Sequence, residues 1–515
     1  MVWLIVVGVI VVILVVLAVI DVIQTRHAIR RNFPIIGRLR YLLERLGPEL
    51  RQYIVTDNDE ERPFSRDQRR WVYASAKMQN QYFGFGTDNK MDLPQYPIIR
   101  HSPFPYQAPT KVSLNGSTPS DAKSPAEPYL PPTKVIGEWR NRSGAFRPES
   151  LVGISAMSFG SLSGRAVEAM NRGALESGAL HNTGEGGISV HHRHGGALIL
   201  QLGTGYFGAR NPDGTFNLDK AIETVSGAPV RAIEVKLSQG AKPGLGGVLP
   251  GSKVTEEIAM ARGVPVGETV ASPPSHVEFD SVKTMIDFVE RIADSCGVPV
   301  GIKSAVGDRR FWVELADEMA ASGRGPDFIT IDGGEGGTGA APLVFSDHVS
   351  LPFRAGFAEV YRTFAERSMH DKVTWIGGGK LGFPGEALLA MALGVDMINV
   401  AREVMLAVGC IQAQECHTGH CPTGVATQSK WLTRGLDPTD KAARAAHYIM
   451  SLRYELLQLA HACGQPHPAL VGGESIDLML EGDSTVSLWD RYGYDQKWLT
   501  PSAADKAEAA ALFGV

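Results

Sequence analysis

VPVGIKS at 298–304, DFITIDGG at 327–334, VTWIGGG at 373–379 and DMINVAR at 396–402 are four short apolar runs, each ending in glycine, polar or charged residues. Helix-like segments separate them: FWVELADEMAASG after the first, one near Phe357–Glu366, and one at Glu386–Leu393. Consecutive strand-then-helix units require parallel strands joined by crossovers. LVGISAM (151–157), with a helix near Gly164–Gly178 behind it, and AIEVKL (232–237) extend the pattern upstream. A doubly wound sheet and a closed (β/α)8 barrel both fit this rhythm. Lys303, Asp332, Gly377 and Ala401 collect where strands end, and barrel active sites sit on that face, with phosphate often held after strands seven and eight. The expected fold is α/β, a (β/α)8 TIM barrel over residues 148–428.

Around this core, the 515 residues exceed what one hydrophobic core usually organises. A composition of 44% hydrophobic and 20% charged residues is that of a globular protein. The net charge of −5 leaves no global basic surface, so no nucleic-acid partner is expected. Val2 to Ile20 read VWLIVVGVIVVILVVLAVI without a charge, long enough for a transmembrane helix assigned to residues 1–21. No charge precedes it and bulky residues run to its end, unlike a cleavable signal peptide. Arg26, Arg30, Arg31, Arg38, Arg40, Arg45 and Arg51 follow, in a basic juxtamembrane segment over 22–62. By the positive-inside tendency that flank faces the cytoplasm, which predicts a single-pass protein of the cell (inner) membrane with a cytoplasmic catalytic domain. The same arginines, spaced among Ile35, Ile36, Leu39, Leu42 and Leu43, suit either a membrane-surface helix or a solvated one. Residues 63–147, with PFPYQAP (103–109) and SPAEPYLPP (124–132), read as an irregular lead-in, and 429–515 as a C-terminal helical extension.

Five cysteines are too few for a disulfide scaffold, and Cys410, Cys416 and Cys421 cluster. Zinc sites use closer pairs and four ligands, which here would need His417 or His420. Three thiolates suit an iron–sulfur cluster, because sulfide supplies the remaining iron ligands. Gly203-x-Gly205-x-x-Gly208 and Gly334-x-Gly336-x-x-Gly339 match a nucleotide fingerprint only weakly, since neither clearly opens a helix. The second follows the run FITID and suits close backbone approach to a flat cofactor. Gly377-Gly378-Gly379, with Ala401-Arg402, would offer N–H donors and a guanidinium to a phosphate.

SAMSFGSLS (155–163), NTGEGG (182–187), QGAKPGLGGVLPG (239–251), DGGEGGTGAAP (332–342) and CIQAQECHTGHCPTGVATQ (410–428) together resemble the FMN-binding domain of glutamate synthases, and the chain also resembles shorter membrane-anchored relatives carrying that domain alone. The resemblance covers about Ile136 to Gln428 and implies FMN and a [3Fe–4S] cluster on Cys410, Cys416 and Cys421. It implies that Ala156, Met157 and Ser158 line the flavin, that Lys303 faces its N1–C2 edge, and that Gly336, Gly337 and Thr338 touch it. Gly378 and Gly379 would hold the phosphate, with Ala401 and Arg402 on its far side, and Glu185 and Lys242 would line the substrate side.

The family's GGQLPG reads GGVLPG here, with Val248 where glutamine would meet 2-oxoglutarate, and Arg402 stands in place of a small residue. With no glutaminase domain seen, ammonia is expected from outside the chain, through a separate subunit if one exists. With no NAD(P)H domain seen, electrons are expected from ferredoxin or a separate reductase. The implied reaction joins 2-oxoglutarate and ammonia into L-glutamate. One alternative is dehydrogenation of an amino acid or N-substituted glutamate, with electrons leaving toward membrane quinone; another is a non-catalytic membrane scaffold, for which the cysteine triad and Lys303 would be superfluous.

Overall fold

The computed structural model describes residues 2–54, 61–79, 86–107, 130–498 and 501–513. Eight parallel strands close into a barrel in chain order: β1 (Val152–Ile154), β2 (His181–Asn182), β3 (Leu198–Leu202), β4 (Val230–Lys236), β5 (Val300–Ser304), β6 (Phe328–Asp332), β7 (Thr374–Gly378) and β8 (Met397–Val400). Closure runs through Ile398 opposite Val152 and Val400 opposite Ile154. The doubly wound alternative is thereby excluded. The strands are apolar on both faces because crossover helices cover the outside while side chains fill the lumen.

One end of the lumen is plugged. Ile199, Ala232, Phe328, Ile376 and Met397, all at or near the starts of their strands, pack with Ile136 and Phe146 of the lead-in. Ile136 and Phe146 exchange backbone hydrogen bonds of 2.9 and 3.1 Å, so the lead-in tucks a bridge under the barrel. Gly301 on β5 makes room for this layer, because any Cβ there would collide with the Phe328 ring. With the N-terminal mouth filled, the functional groups are left to the C-terminal ends.

The flanking segments are partly ordered against the barrel. Helix α4 (Arg66–Ala76) starts with a reciprocal capping box between Ser65 and Gln68. Pro97–Ile99 pairs with Ile476–Met479, which pairs with Thr485–Ser487, in a small antiparallel sheet. The C-terminal extension is therefore not helical throughout: its long helix α6 (Pro438–Ala462) is followed by two strands. The prolines between 108 and 129 lie outside the described residues.

Helix α1 (Val2–Ile23) is long and apolar enough to cross a membrane, and its apolar side chains from Trp3 to Val16 are mostly exposed. At its end Asp21 accepts from Arg30 at 2.7 Å, from Arg38 at 2.8 Å and from the Ile35 N–H at 3.1 Å. Two of the arginines therefore fold the short helix α2 (Ala28–Asn32) and the start of α3 (Ile36–Ile54) back onto Asp21 instead of facing solvent. Asn32 donates to the Leu432 carbonyl at 2.8 Å and to Pro422, next to Cys421, at 3.2 Å. Lys441 and Arg444 of α6 donate to the Arg26 carbonyl at 3.1 and 3.0 Å. The apolar helix thus joins the cysteine loop through three consecutive connections. Helix α5 (Gly164–Ser177), capped by Ser163, packs against α6 over Gly173, where a Cβ would meet Ala445 at 2.7 Å.

Candidate functional site

At the C-terminal mouth the ends of β4, β5 and β6, with the loops after β2 and β4, bring five charged side chains together. Lys303, on β5, is 5% exposed, and its Nζ lies 3.7 Å from Asp332 Oδ1 at the end of β6. The other Asp332 oxygen accepts from the Gly240 N–H at 2.8 Å, tying the loop after β4 to the end of β6. Lys236, at the end of β4, pairs with Glu185 at 3.0 Å. Lys242 donates to the Gly246 carbonyl at 2.9 Å and shares a recess with Glu185 and Lys236.

This recess has a defined charge state. Burial opposes ionisation of Glu185, but Lys236, Lys242 and Arg262 outweigh it and hold its carboxyl below the usual range. Burial and repulsion from Lys236 push the Lys242 ammonium down, partly offset by Glu185. Two ammonium groups around one carboxylate leave a net positive recess suited to a carboxylate ligand. Sequence reasoning singled out Glu185 and Lys242 but missed Lys236. The signal was available: in AIEVKL, Glu234 and Lys236 interrupt an apolar run at alternate positions, which puts both on one face of the strand. Glu234 is fully buried in the lumen and accepts from Asn182 at 2.8 Å, Gln201 at 2.7 Å and Thr330 at 2.7 Å. Four strands are pinned together below the mouth by that one carboxylate.

Ala156, Met157 and Ser158 follow β1, with the Ser155 N–H bound to the Val400 carbonyl at 2.9 Å. Gly184 holds φ +64, and a Cβ there would meet Ser158 N at 2.6 Å, so the NTGEGG turn lies directly on this segment. Gly378 ends β7 and Gly379 follows it. A Cβ on Gly378 would lie 3.0 Å from Asp332 Oδ1, and one on Gly379 would lie 2.9 Å from Phe353 and 3.3 Å from the Glu335 carboxylate. Glu335 accepts from the Phe353 N–H at 2.9 Å, and burial pushes its carboxyl up. Ala401 follows β8 and donates to Glu403 at 3.3 Å.

Arg402, directly after Ala401, has partners of its own within the protein. Its guanidinium donates to the Glu335 carbonyl, stands 5.1 Å from the centroid of the Phe64 ring, and would meet a Cβ on Gly337 at 2.9 Å. It braces the loop carrying Gly336, Gly337 and Thr338.

That loop reaches the cysteines. At Gly339 a Cβ would lie 2.9 Å from both the carbonyl carbon and oxygen of Cys416 and 3.1 Å from His417 N, so the two loops touch backbone to backbone. Burial pushes the Cys410 thiol up to about 12, with Cys421 and Cys416 acting in the same direction. Burial and Cys421 raise Cys416 as well. Uncompensated, the Cys410 and Cys416 thiols would stay protonated; bound iron would supply the positive charge that favours thiolates. Among the described residues no three His, Cys, Asp or Glu side chains close on a single metal ion. A cluster spreads its thiolates over separate irons and does not require them to converge on one ion.

A family model described as a conserved region in glutamate synthase matches residues 134–466, which contain all eight strands and the cysteine loop. The glutamate synthase large subunit-like protein YerD of Bacillus subtilis (strain 168) is 40% identical over 489 residues, 90% of this chain and 92% of that one. An archaeal-type glutamate synthase (NADPH) of Thermotoga maritima is 34% identical over 316 residues, 60% of this chain and 59% of that relative's length. A solved flavocytochrome b2 variant with sulfite bound is similar at 13% identity over 91% of this chain and 95% of that one, with a TM-score of 0.45. On the matched region and the extent of the Bacillus relative, this chain belongs to the glutamate synthase family, whose members are oxidoreductases.

Proposed function

We propose that this chain is an FMN- and iron–sulfur-dependent oxidoreductase that converts 2-oxoglutarate and externally supplied ammonia to L-glutamate. Bound FMN supplies hydride chemistry, and a [3Fe–4S] cluster on Cys410, Cys416 and Cys421 supplies one-electron transfer. The observation that supports the reading most is the backbone contact between Gly339 and Cys416, because a flavin against the one loop and a cluster on the other would lie within electron-transfer reach. Ala156, Met157, Ser158, Gly336, Gly337 and Thr338 would line the flavin, and Gly378, Gly379, Ala401 and Arg402 its phosphate, with Arg402 also bracing the loop between flavin and cluster. Lys303 would hold a positive charge at the flavin's N1–C2 edge. Lys242 and Lys236 would bind substrate carboxylate, and Glu185 would orient the amine or imine nitrogen. Electrons would come from ferredoxin or a separate reductase, and ammonia from a separate subunit or from solution.

One observation favours a second reading, a membrane-associated dehydrogenase of an amino acid or N-substituted glutamate. Leu245 and Val248, 38% and 59% exposed, put apolar side chains next to glycines that line the substrate recess. Anaerobic flavin reduction by glutamate and by N-alkyl glutamates, set against reoxidation of reduced enzyme by 2-oxoglutarate plus ammonium, separates the two directions. Failure of every such substrate would defeat both.

Purified protein should carry one FMN and about three irons per chain. Cys416→Ser should remove the iron absorbance and leave most of the flavin, because the flavin's contacts lie on the barrel loops. Zinc in place of iron after anaerobic purification would sink the cluster assignment.

The apolar helix α1 would anchor the protein in the cell membrane with the barrel in the cytoplasm. Removal of residues 1–20 keeps Asp21 with its arginine and backbone partners, so the shortened protein should move to the supernatant on ultracentrifugation with flavin and iron intact. Continued pelleting would show that the basic segment alone holds it on the membrane.

A further inference from the structure

The chain ahead of the barrel reaches the cysteine loop. Gln412, two residues after Cys410, accepts from the Phe64 N–H at 3.0 Å and donates back to the Phe64 carbonyl at 3.0 Å. Its amide also reaches the Arg62 carbonyl at 3.4 Å, and Gln414 donates to the same carbonyl at 3.3 Å. Both glutamines hold left-handed backbone, φ +56 and +59, which residues with a side chain seldom adopt. Strain of this kind persists where surrounding contacts over-determine it, and it clusters at functional sites. Tyr73 of α4 adds a further tie, from its hydroxyl to the Cys410 carbonyl at 2.8 Å. Residues 62–73 therefore clasp the loop that carries Cys410 and Cys416.

The clasp sets an aromatic ring beside two cations. Phe64 is 1% exposed. Lys380 Nζ stands 5.2 Å from its ring centroid and the Arg402 guanidinium 5.1 Å, both within cation–π range. Lys380 directly follows Gly379, and Arg402 lies against Gly337, two residues before the Gly339 that touches Cys416. Both cations thus stand where the loop after β7, the glycine loop after β6 and the cysteine loop come together. Burial, Arg402 and Arg62 push the Lys380 ammonium down, while Glu403 and Glu386 favour its charge. The negative face of the Phe64 ring offsets part of that repulsion and keeps the two like charges in place.

We propose that Phe64 is a positioning residue of the redox centre, through which the N-terminal segment holds Lys380 and Arg402 beside the cysteine loop and raises the cluster's reduction potential. The proposal rests on the [3Fe–4S] assignment above. A cluster that gains an electron gains negative charge, and fixed cations nearby favour that form. Without the ring, the two cations would separate toward solvent, where water screens them.

The test uses the full chain, purified anaerobically in detergent. Redox titration followed by electron paramagnetic resonance reads the cluster's potential, and iron analysis reads its content. Phe64→Leu keeps the apolar bulk and both backbone bonds to Gln412 but removes the π face. Its cluster should be about tenfold harder to reduce, a fall of about 59 mV for one electron, with iron at wild-type content. Phe64→Tyr keeps the face and should restore the wild-type potential. Lys380→Met removes one cation, leaves the ring and should also lower the potential; it carries the test should Phe64→Leu fail to fold. An unchanged or raised potential in either folded variant would overturn the proposal, as would a fall in Phe64→Tyr equal to that in Phe64→Leu. Loss of iron from Phe64→Leu would reduce the ring to a structural brace and overturn it too. Absence of iron from the wild-type protein would defeat the cluster assignment and this proposal with it, whereas an unshifted potential defeats the proposal alone.

Discussion

Lys303→Met should reduce turnover by about 10²–10³-fold while FMN remains bound. Lys303 is 5% exposed at the end of β5, and its charge is opposed nearby by Asp332 at 3.7 Å. A cation held there would stabilise the negative charge that reduction places on the flavin's N1–C2 edge. Methionine keeps most of the length and apolar bulk but removes the charge, and it also leaves Asp332 with one less partner. Both changes make the reduced flavin harder to form, so the midpoint potential should fall, as read by anaerobic titration with a reference dye. Lys303→Met combined with Asp332→Asn separates the two causes. If the lost cation dominates, the double variant stays low; if the stranded carboxylate dominates, it recovers. Unchanged potential and turnover in the single variant would remove Lys303 from the flavin site.

The reasons why some of this was legible in sequence, and some not, are physical. Strands β1, β4, β5, β6, β7 and β8 announce themselves because a parallel strand buried on both faces is a near-continuous apolar run. β2 is only His181–Asn182 and carries no apolar run, so it went unseen; β3, LILQL, does carry one and was passed over. The cysteine triad and the glycine loops were visible as local motifs. Their contact was not, because Gly339 and Cys416 are distant in sequence and meet only when the barrel closes. Lys236 was missed for a related reason: its pairing with Glu185 joins a strand end to a loop two strands away. The arginine-rich segment looked like a single basic surface, but Asp21, the last residue of the assigned span, gathers Arg30 and Arg38 into a turn. A lone aspartate at a helix end carries no pattern that would reveal such a hub.

The closure-dependent contact gives the most disruptive substitution outside the titratable groups. Gly339→Val should cost the protein most of its iron and a large part of its flavin, unlike Cys416→Ser, which should cost iron alone. A single Cβ at residue 339 would already stand 2.9 Å from the Cys416 carbonyl, and those atoms are backbone, which cannot rotate away as a side chain could. Valine adds two methyl groups to that collision. One of the two loops must move. If the cysteine loop yields, Cys416 leaves the position it shares with Cys410 and Cys421. If the glycine loop yields, Gly336, Gly337 and Thr338 shift, and Arg402 loses its hold on the Glu335 carbonyl. The strain is local, since Gly339 lies beyond the end of β6 and the barrel below is held by Glu234 and its three donors. Far-ultraviolet circular dichroism should therefore match wild type while iron and flavin analyses fall together. Gly339→Ala should give the same pattern in milder form. Full iron and flavin content in Gly339→Val would mean that the two loops do not touch, and the route between flavin and cluster would have to be sought elsewhere.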